Sequence, residues 1–231
     1  MAKKRYAMVI DLHRCVGCAA CDIACKSENN VPDGFAWSSH KTETSGRFPD
    51  VRYRYIPTLC NHCENAPCVA VCPTSAMHKT DEGLTMHNPA LCIGCLKCQR
   101  SCPYGSIYFN AESPHQRFRK DDRPAVPECT STGPEVVENT ETPIPYYNPA
   151  CEATYEGVRR QGIVGKCTFC NHRLALGQLP ACVEACPAGA RIFGDMNDAD
   201  SPPRKVLAKH RSRVLKPESE TKPNVYYIRE F

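Results

Sequence analysis

The sequence predicts an α+β fold of two interleaved small modules with long loop insertions, and three observations carry that reading. Eighteen cysteines stand among 231 residues, about 7.8% of the chain, and sixteen of them fall into four quartets. Two spacing patterns alternate along the chain, so it reads as an internal duplication of the form A-B-A′-B′. Twenty prolines and 13 glycines interrupt any long regular element, which excludes coiled coils and long helices. The hydrophobic fraction of 42% counts the cysteines, and without them about 34% remains. Something besides apolar packing must therefore tie the chain together. No apolar run approaches the ~18 residues of a membrane span.

Taken from its start, the sequence runs Met1-Ala2-Lys3-Lys4-Arg5-Tyr6-Ala7-Met8-Val9-Ile10, which has the charges of a signal peptide without its apolar stretch. Asp11 ends the run and no small-residue cleavage site follows. The segment is expected to be a strand at a mature start, and by itself it points to the cytoplasm. The first quartet, Cys15, Cys18, Cys21 and Cys25, has the spacing C-x2-C-x2-C-x3-C, the run found in bacterial ferredoxins. Gly17 suits a loop wrapped closely round a bound group, and the last step enters a short helix near Ala19 to Lys26. Lys26 stands where the other three quartets have proline. It is either a cation favouring a reduced neighbour or a solvated side chain. Residues 26 to 59 form an insertion with Phe35, Trp37 and Phe48, either an aromatic partner surface or local packing.

The second quartet is Cys60, Cys63, Cys68 and Cys72, the third Cys92, Cys95, Cys98 and Cys102, and the fourth Cys167, Cys170, Cys182 and Cys186. The third repeats the run of the first, with Ile93-Gly94 matching Val16-Gly17. The second and fourth share C-x2-C, a spacer and a Pro-Cys-Val or Pro-Ala-Cys-Val stretch that ends in Cys-Pro. Gaps of 34, 19 and 64 residues separate successive quartets. The shortest gap holds Met77-His78-Lys79, the turn Thr80-Asp81-Glu82-Gly83 and Leu84-Thr85-Met86, a hairpin signature between two loops. The longest contains a Pro- and Thr-rich stretch, about Pro114 to Gly165, expected to be irregular. Cys129 and Cys151 lie in it, outside the quartets, as a disulfide or as two separate thiols. From Ser201 to Lys222 a tail rich in Lys, Arg and Pro is expected to wrap a partner rather than bind nucleic acid, because no aromatic residues interleave its charges.

Disulfides fit this pattern poorly, because C-x2-C pairs are too close for easy bridging. Zinc ribbons use such pairs too, with His62 and His172 nearby, but zinc does not account for a further cysteine three residues on, followed by proline. Iron–sulfur ligation accounts for all four quartets. The ligand sets are then full, so His62 and His172 are expected to hydrogen-bond or face solvent. With four oxidised cubanes at about −2 each, ligands included, the formal charge of +4 falls to about −4. The basic balance then offsets buried anions. In two-cluster ferredoxins the fourth cysteine of a run ligates the other cluster. Spacing alone does not say which quartets exchange. The short gap joins the second and third quartets, leaving the first and fourth to pair. The expected fold is thus two interleaved bacterial-ferredoxin-like modules of duplicated βαββαβ type. Residues 1–59 with 167–200 form one module and 60–110 the other, with 111–166 an irregular insertion and 201–231 a C-terminal tail.

In these quartets, over Tyr6 to Gly194, the sequence resembles the four-cluster iron–sulfur subunits of molybdopterin oxidoreductases, which include the dimethyl sulfoxide, polysulfide, tetrathionate and respiratory arsenate reductases. Ile56-Pro57-Thr58-Leu59-Cys60-Asn61-His62-Cys63 and Tyr226-Tyr227-Ile228-Arg229 most resemble the arsenate reductase branch and its arsenite-oxidising relatives. The resemblance implies four 4Fe-4S clusters: Cys15, Cys18, Cys21 and Cys186 nearest the catalytic subunit, then Cys167, Cys170, Cys182 and Cys25, then Cys60, Cys63, Cys68 and Cys102, and most distally Cys92, Cys95, Cys98 and Cys72. Some relatives carry tryptophan at one ligand of the third quartet and hold a three-iron cluster, whereas Cys95 is present here. The resemblance further implies a large molybdopterin catalytic subunit, a membrane quinol-oxidising subunit or cytochrome, and export to the periplasm with the catalytic partner, which reverses the cytoplasmic reading.

No nucleophilic or acid–base arrangement and no phosphate loop stand out, so no catalytic residue is assigned. The expected function is electron relay between the molybdenum site and the quinol-linked partner. The rivals are the same relay in a polysulfide, tetrathionate or dimethyl sulfoxide reductase, an independent iron–sulfur enzyme, and a zinc-stabilised scaffold.

Overall fold

In the computed structural model, residues 3–32, 34–112, 131–141, 147–151, 157 and 160–229 are described. The strands in chain order are β1 (Tyr6–Asp11), β2 (Ser38–Arg47), β3 (Asp50–Leu59), β4 (Met77–Lys79), β5 (Thr85–His87), β6 (Tyr108–Phe109), β7 (Val164–Gly165), β8 (Arg191–Asp195), β9 (Ser212–Arg213) and β10 (Val225–Ile228). The helices are α1 (Ala20–Glu28), α2 (Pro67–Ala70), α3 (Lys97–Ser101), α4 (Gly133–Thr140), α5 (Asn171–Ala175), α6 (Ala181–Glu184) and α7 (Pro202–Lys209). The helices are short, from 4 to 9 residues. The architecture is mixed α and β with small sheets.

The largest sheet has the order β8-β1-β10-β9. Strand β1 lies between antiparallel β8 and parallel β10, and its Ala7, Met8, Val9 and Ile10 are fully buried. A strand covered on both faces reads as an apolar run rather than an alternating one. Asp11 closes it and stays buried by pairing with Arg229, whose Nε lies 3.0 Å away. The expected hairpin of the short gap is present as β4 against β5, and β6 pairs with β7 across the long insertion. The cysteine-bearing helices dock two by two, α1 on α6 and α2 on α3.

Three expectations need correction. The insertion 26–59 is largely a regular hairpin, paired from Ser38 opposite Leu59 to Arg47 opposite Asp50. Its β-branched and aromatic residues, such as Thr42, Thr44, Val51, Tyr53 and Tyr55, suit extended chain. Its aromatic trio divides: Trp37 is buried and Phe35 packs on the core, while Phe48 at the tip is 92% exposed. The long insertion contains α4, whose Thr132 accepts from the Glu135 N–H while the Glu135 carboxylate accepts from the Thr132 N–H, a capping box that was legible as T-x-x-E. Finally, 201–231 is no loose tail. Helix α7 packs on β8, and β10 returns to the middle of the main sheet with Val225, Tyr227 and Ile228 buried. Cys129, and with it the disulfide to Cys151, lies outside the described residues.

Candidate metal centres

The two C-x2-C-x2-C loops share a backbone. Gly17 and Gly94 have φ of +69° and +67°, and each is followed two residues later by a left-handed residue, Ala19 or Leu96, that caps the next helix. A Cβ on Gly17 would stand 2.3 Å from the Tyr55 ring, and one on Gly94 would stand 2.1 Å from the Gly162 carbonyl oxygen. Glycine is required there by conformation and by close approach. In the other pattern, Pro67 and Ala181 open the single-turn helices α2 and α6, which carry Cys68 and Cys182 inward.

These elements bring the sixteen cysteines into four groups. Cys15, Cys18 and Cys21 line one space with Cys186. Cys60, Cys63 and Cys68 line a second with Cys102. Cys92, Cys95 and Cys98 line a third with Cys72. In the fourth, Cys25 and Cys167 are electrostatic neighbours of both Cys170 and Cys182. Buried cysteines are also part of the apolar packing: Cys25, Cys60, Cys167 and Cys182 belong to one core cluster, and Cys63, Cys68 and Cys98 to another. Burial pushes the thiols of Cys21, Cys98 and Cys170 up to about 11 and that of Cys68 up to about 12. It raises those of Cys25 and Cys167 as well, helped by neighbouring thiolates. Cys72, little desolvated, is held below the usual thiol range by the N–H groups of Met77, Thr74 and Ala76. Most of these sulfurs thus need a cationic metal core to remain thiolates, and loading it releases protons.

N–H groups face the sulfurs. Phe169 donates to Cys167 Sγ at 3.4 Å and Ala190 to Cys186 Sγ at 3.2 Å. The Asn29 amide donates to Cys170 Sγ at 3.4 Å and to Cys25 Sγ at 3.7 Å. The nearby histidines serve as joints. His62 is fully buried and stacks on Phe169 with ring centroids 3.8 Å apart, and burial lowers its pKa well below the ordinary value. His172 Nε2 lies 2.7 Å from Glu28 Oε1, tying α5 to α1. The Lys26 ammonium donates to the carbonyls of Pro32 and Phe35 at 2.9 and 2.8 Å.

The sequence reading missed the buried cations. Lys166 is 1% exposed and donates to the Thr85 and Cys167 carbonyls. Lys79, only half-buried, donates to Cys63 O at 2.7 Å and Gly83 O at 2.6 Å. Arg191 is 3% exposed; burial opposes its charge, while Cys182 and Cys21 as thiolates, and Asp22, favour it. The one available sequence signal was a charged residue inside an apolar stretch, Ile163-Val164-Gly165-Lys166 or Ala190-Arg191-Ile192-Phe193. Soft thiol ligands in fours, N–H donors facing them and a buried guanidinium Nε with no partner all suit polyanionic iron–sulfur groups.

The fold and these cysteine groups define a 4Fe-4S ferredoxin-type protein. A model of the 4Fe-4S dicluster domain matches residues 51–134 and again 130–196. The chain is 51% identical to the arsenate respiratory reductase iron–sulfur subunit of Shewanella sp. (strain ANA-3), over 98% of this chain and 97% of the relative. It is 35% identical to a tetrathionate reductase subunit of Salmonella typhimurium, over 98% of this chain and 73% of the relative. A polysulfide reductase component of Wolinella succinogenes is 34% identical, over 99% of this chain and 95% of the relative. The chain belongs to the family of four-cluster iron–sulfur subunits of molybdopterin oxidoreductases, and its role is electron transfer through 4Fe-4S clusters. When bound, the clusters supply one-electron chemistry. The protein sets their potentials through charge, hydrogen bonds to sulfur and exposure.

Proposed function

We propose that this chain relays electrons through four clusters between a molybdopterin catalytic subunit of the respiratory arsenate reductase type and a quinol-linked membrane subunit or cytochrome. The ligand sets are Cys15, Cys18, Cys21 with Cys186; Cys167, Cys170, Cys182 with Cys25; Cys60, Cys63, Cys68 with Cys102; and Cys92, Cys95, Cys98 with Cys72. The observation that carries the reading is that in each group three cysteines come from one quartet and the fourth from another. The docking of α1 on α6 and of α2 on α3 supports two interleaved ferredoxin-like modules, the second being 60–110. Residues 201–231 are assigned to the first module, because β10 lies beside β1 in its sheet.

The relay begins at the first loop and ends at the third. Val16 and Ile23 beside the first loop are 62% and 68% exposed, and Ile93 beside the third is 66% exposed. Apolar side chains in water next to cysteine loops suit docking partners. Similarity to the Shewanella arsenate reductase subunit, extending over nearly both chains, supports the arsenic branch over its tetrathionate or polysulfide counterparts. Among the described residues no helix is long and apolar enough to cross a membrane. The quinol-linked partner would carry the membrane attachment, and the complex is assigned to the periplasm.

The test is purification of the complex under anaerobic conditions. About sixteen irons and as many acid-labile sulfides per chain are expected, with a large molybdenum-containing partner that reduces arsenate. Cys25→Ala should damage the cluster of Cys167, Cys170 and Cys182. Loss of the cluster of Cys15, Cys18 and Cys21 instead would refute the exchange.

A further inference from the structure

Arg191 opens β8, directly behind the loop that ends in Cys186, and it is almost wholly buried. Its Nη2 donates to Ser38 Oγ at 2.8 Å, and Nη1 lies 3.9 Å from Met8 Sδ. The Nε has no partner. Among the described residues it makes no ion pair with a carboxylate. Asp22 is one hydroxyl away: Asp22 Oδ1 accepts from Ser38 Oγ at 2.9 Å, and Oδ2 lies 2.8 Å from His40 Nδ1.

What the guanidinium does face is sulfur from two groups. It lines the space enclosed by Cys15, Cys18, Cys21 and Cys186, and the strand it opens packs against α6, which carries Cys182 of the group of Cys25, Cys167 and Cys170. Its charge acts on Cys15 and Cys21 on one side and on Cys25 and Cys182 on the other. Lys166, buried as deeply, differs in kind, because its ammonium is bound to peptide carbonyls.

A buried, weakly solvated cation with no carboxylate bound directly to it is costly unless another anion compensates it. A planar guanidinium with donors on several sides can serve two anions at once, which a point-charge ammonium does less well. We propose that Arg191 is a positioning residue shared by two electron-transfer centres: one buried guanidinium lies between the clusters held by Cys15, Cys18, Cys21, Cys186 and by Cys25, Cys167, Cys170, Cys182, and sets their potentials together. This rests on the ligand sets proposed above. Each cluster gains one negative charge on reduction, so a fixed cation against both stabilises both reduced forms and raises both potentials. Buried charges are screened little by salt, so the effect persists at high ionic strength.

The experiment is a redox titration followed by low-temperature electron paramagnetic resonance on the cluster-loaded complex, for the wild type, Arg191→Met and Arg191→Lys. In Arg191→Met two of the four midpoint potentials should move negative, by similar amounts at low and high salt, while the other two stay. Arg191→Lys, which restores the charge, should bring both back toward the wild type. A shift of one potential alone, of all four, or of none overturns the proposal. If Arg191→Met fails to retain clusters, spin quantitation should show two centres lost together. Loss of one or of all four overturns it equally. Cys25→Ala, titrated alongside, separates the two levels. If it empties the wrong centre the ligand sets fail; if it behaves as expected while Arg191→Met moves nothing, the shared charge fails.

Discussion

Single side chains tune this protein by presenting nitrogen to sulfur. Asn29 is an example: it follows α1, and its amide reaches Cys25 and Cys170, which come from different quartets. Hydrogen bonds to ligand sulfur raise a cluster's potential, and bonds to charged groups stabilise a fold by roughly 1.5–3 kcal/mol. Asn29→Leu should therefore lower one midpoint potential and destabilise the loaded protein by about that amount, as read by redox titration and by denaturant unfolding under anaerobic conditions. Tyr227 carries a separate contribution, its hydroxyl donating to the Pro57 carbonyl at 2.8 Å from inside the sheet. Tyr227→Phe should cost about 1 kcal/mol, and Tyr227→Ala, which also opens a cavity, about 3–5 kcal/mol. Among residues, the sixteen cysteines were plain in the sequence because their chemistry and spacing are local. Arg191, Lys166 and Asn29 were not, because a charge or amide becomes a buried partner only after distant segments close over it.

Elements are shaped here by what the loops must enclose. The third loop turns through Gly94, whose missing Cβ leaves room for the Gly162 carbonyl of the long insertion. Gly94→Ala combines a positive φ with a backbone clash and should destabilise by more than about 1 kcal/mol. The cluster of Cys92, Cys95 and Cys98 should be the first lost, which spin quantitation would show. Strand β1, the short helix after the first loop and the β4–β5 hairpin were legible, since an apolar run, a cysteine step and a Gly-containing turn are local signals. The β2–β3 hairpin was hidden because its outer half is exposed and polar, without a clean alternation; Glu43, Arg47 and Arg52 point to solvent. Helix α4 was announced by its capping box, but the surrounding Pro and Thr masked it.

For the molecule as a whole, metal takes the place of apolar mass. Buried cysteines sit among Met8, Ile10, Phe169 and Phe193 in the main core, so removing iron leaves thiols crowded where a cofactor should be. Chelation under reducing conditions should abolish the cooperative unfolding transition and much of the ordered far-ultraviolet signal, as expected where metal-binding free energy is folding free energy. A chain that keeps a native-like transition without iron would refute this. Truncation after Lys222 should be as damaging, because it removes β10 from between β1 and β9. The cofactor chemistry, the alternation of two cysteine patterns and the family resemblance could all be read from the residues alone, because ligand type and spacing are written along the chain. Folding in three dimensions was needed to settle which cysteines from separate quartets stand together, that the last residues complete the sheet begun by the first, and which cations end beside which sulfurs. Those depend on contacts between segments far apart in sequence, where burial changes what a residue costs and what it can bind.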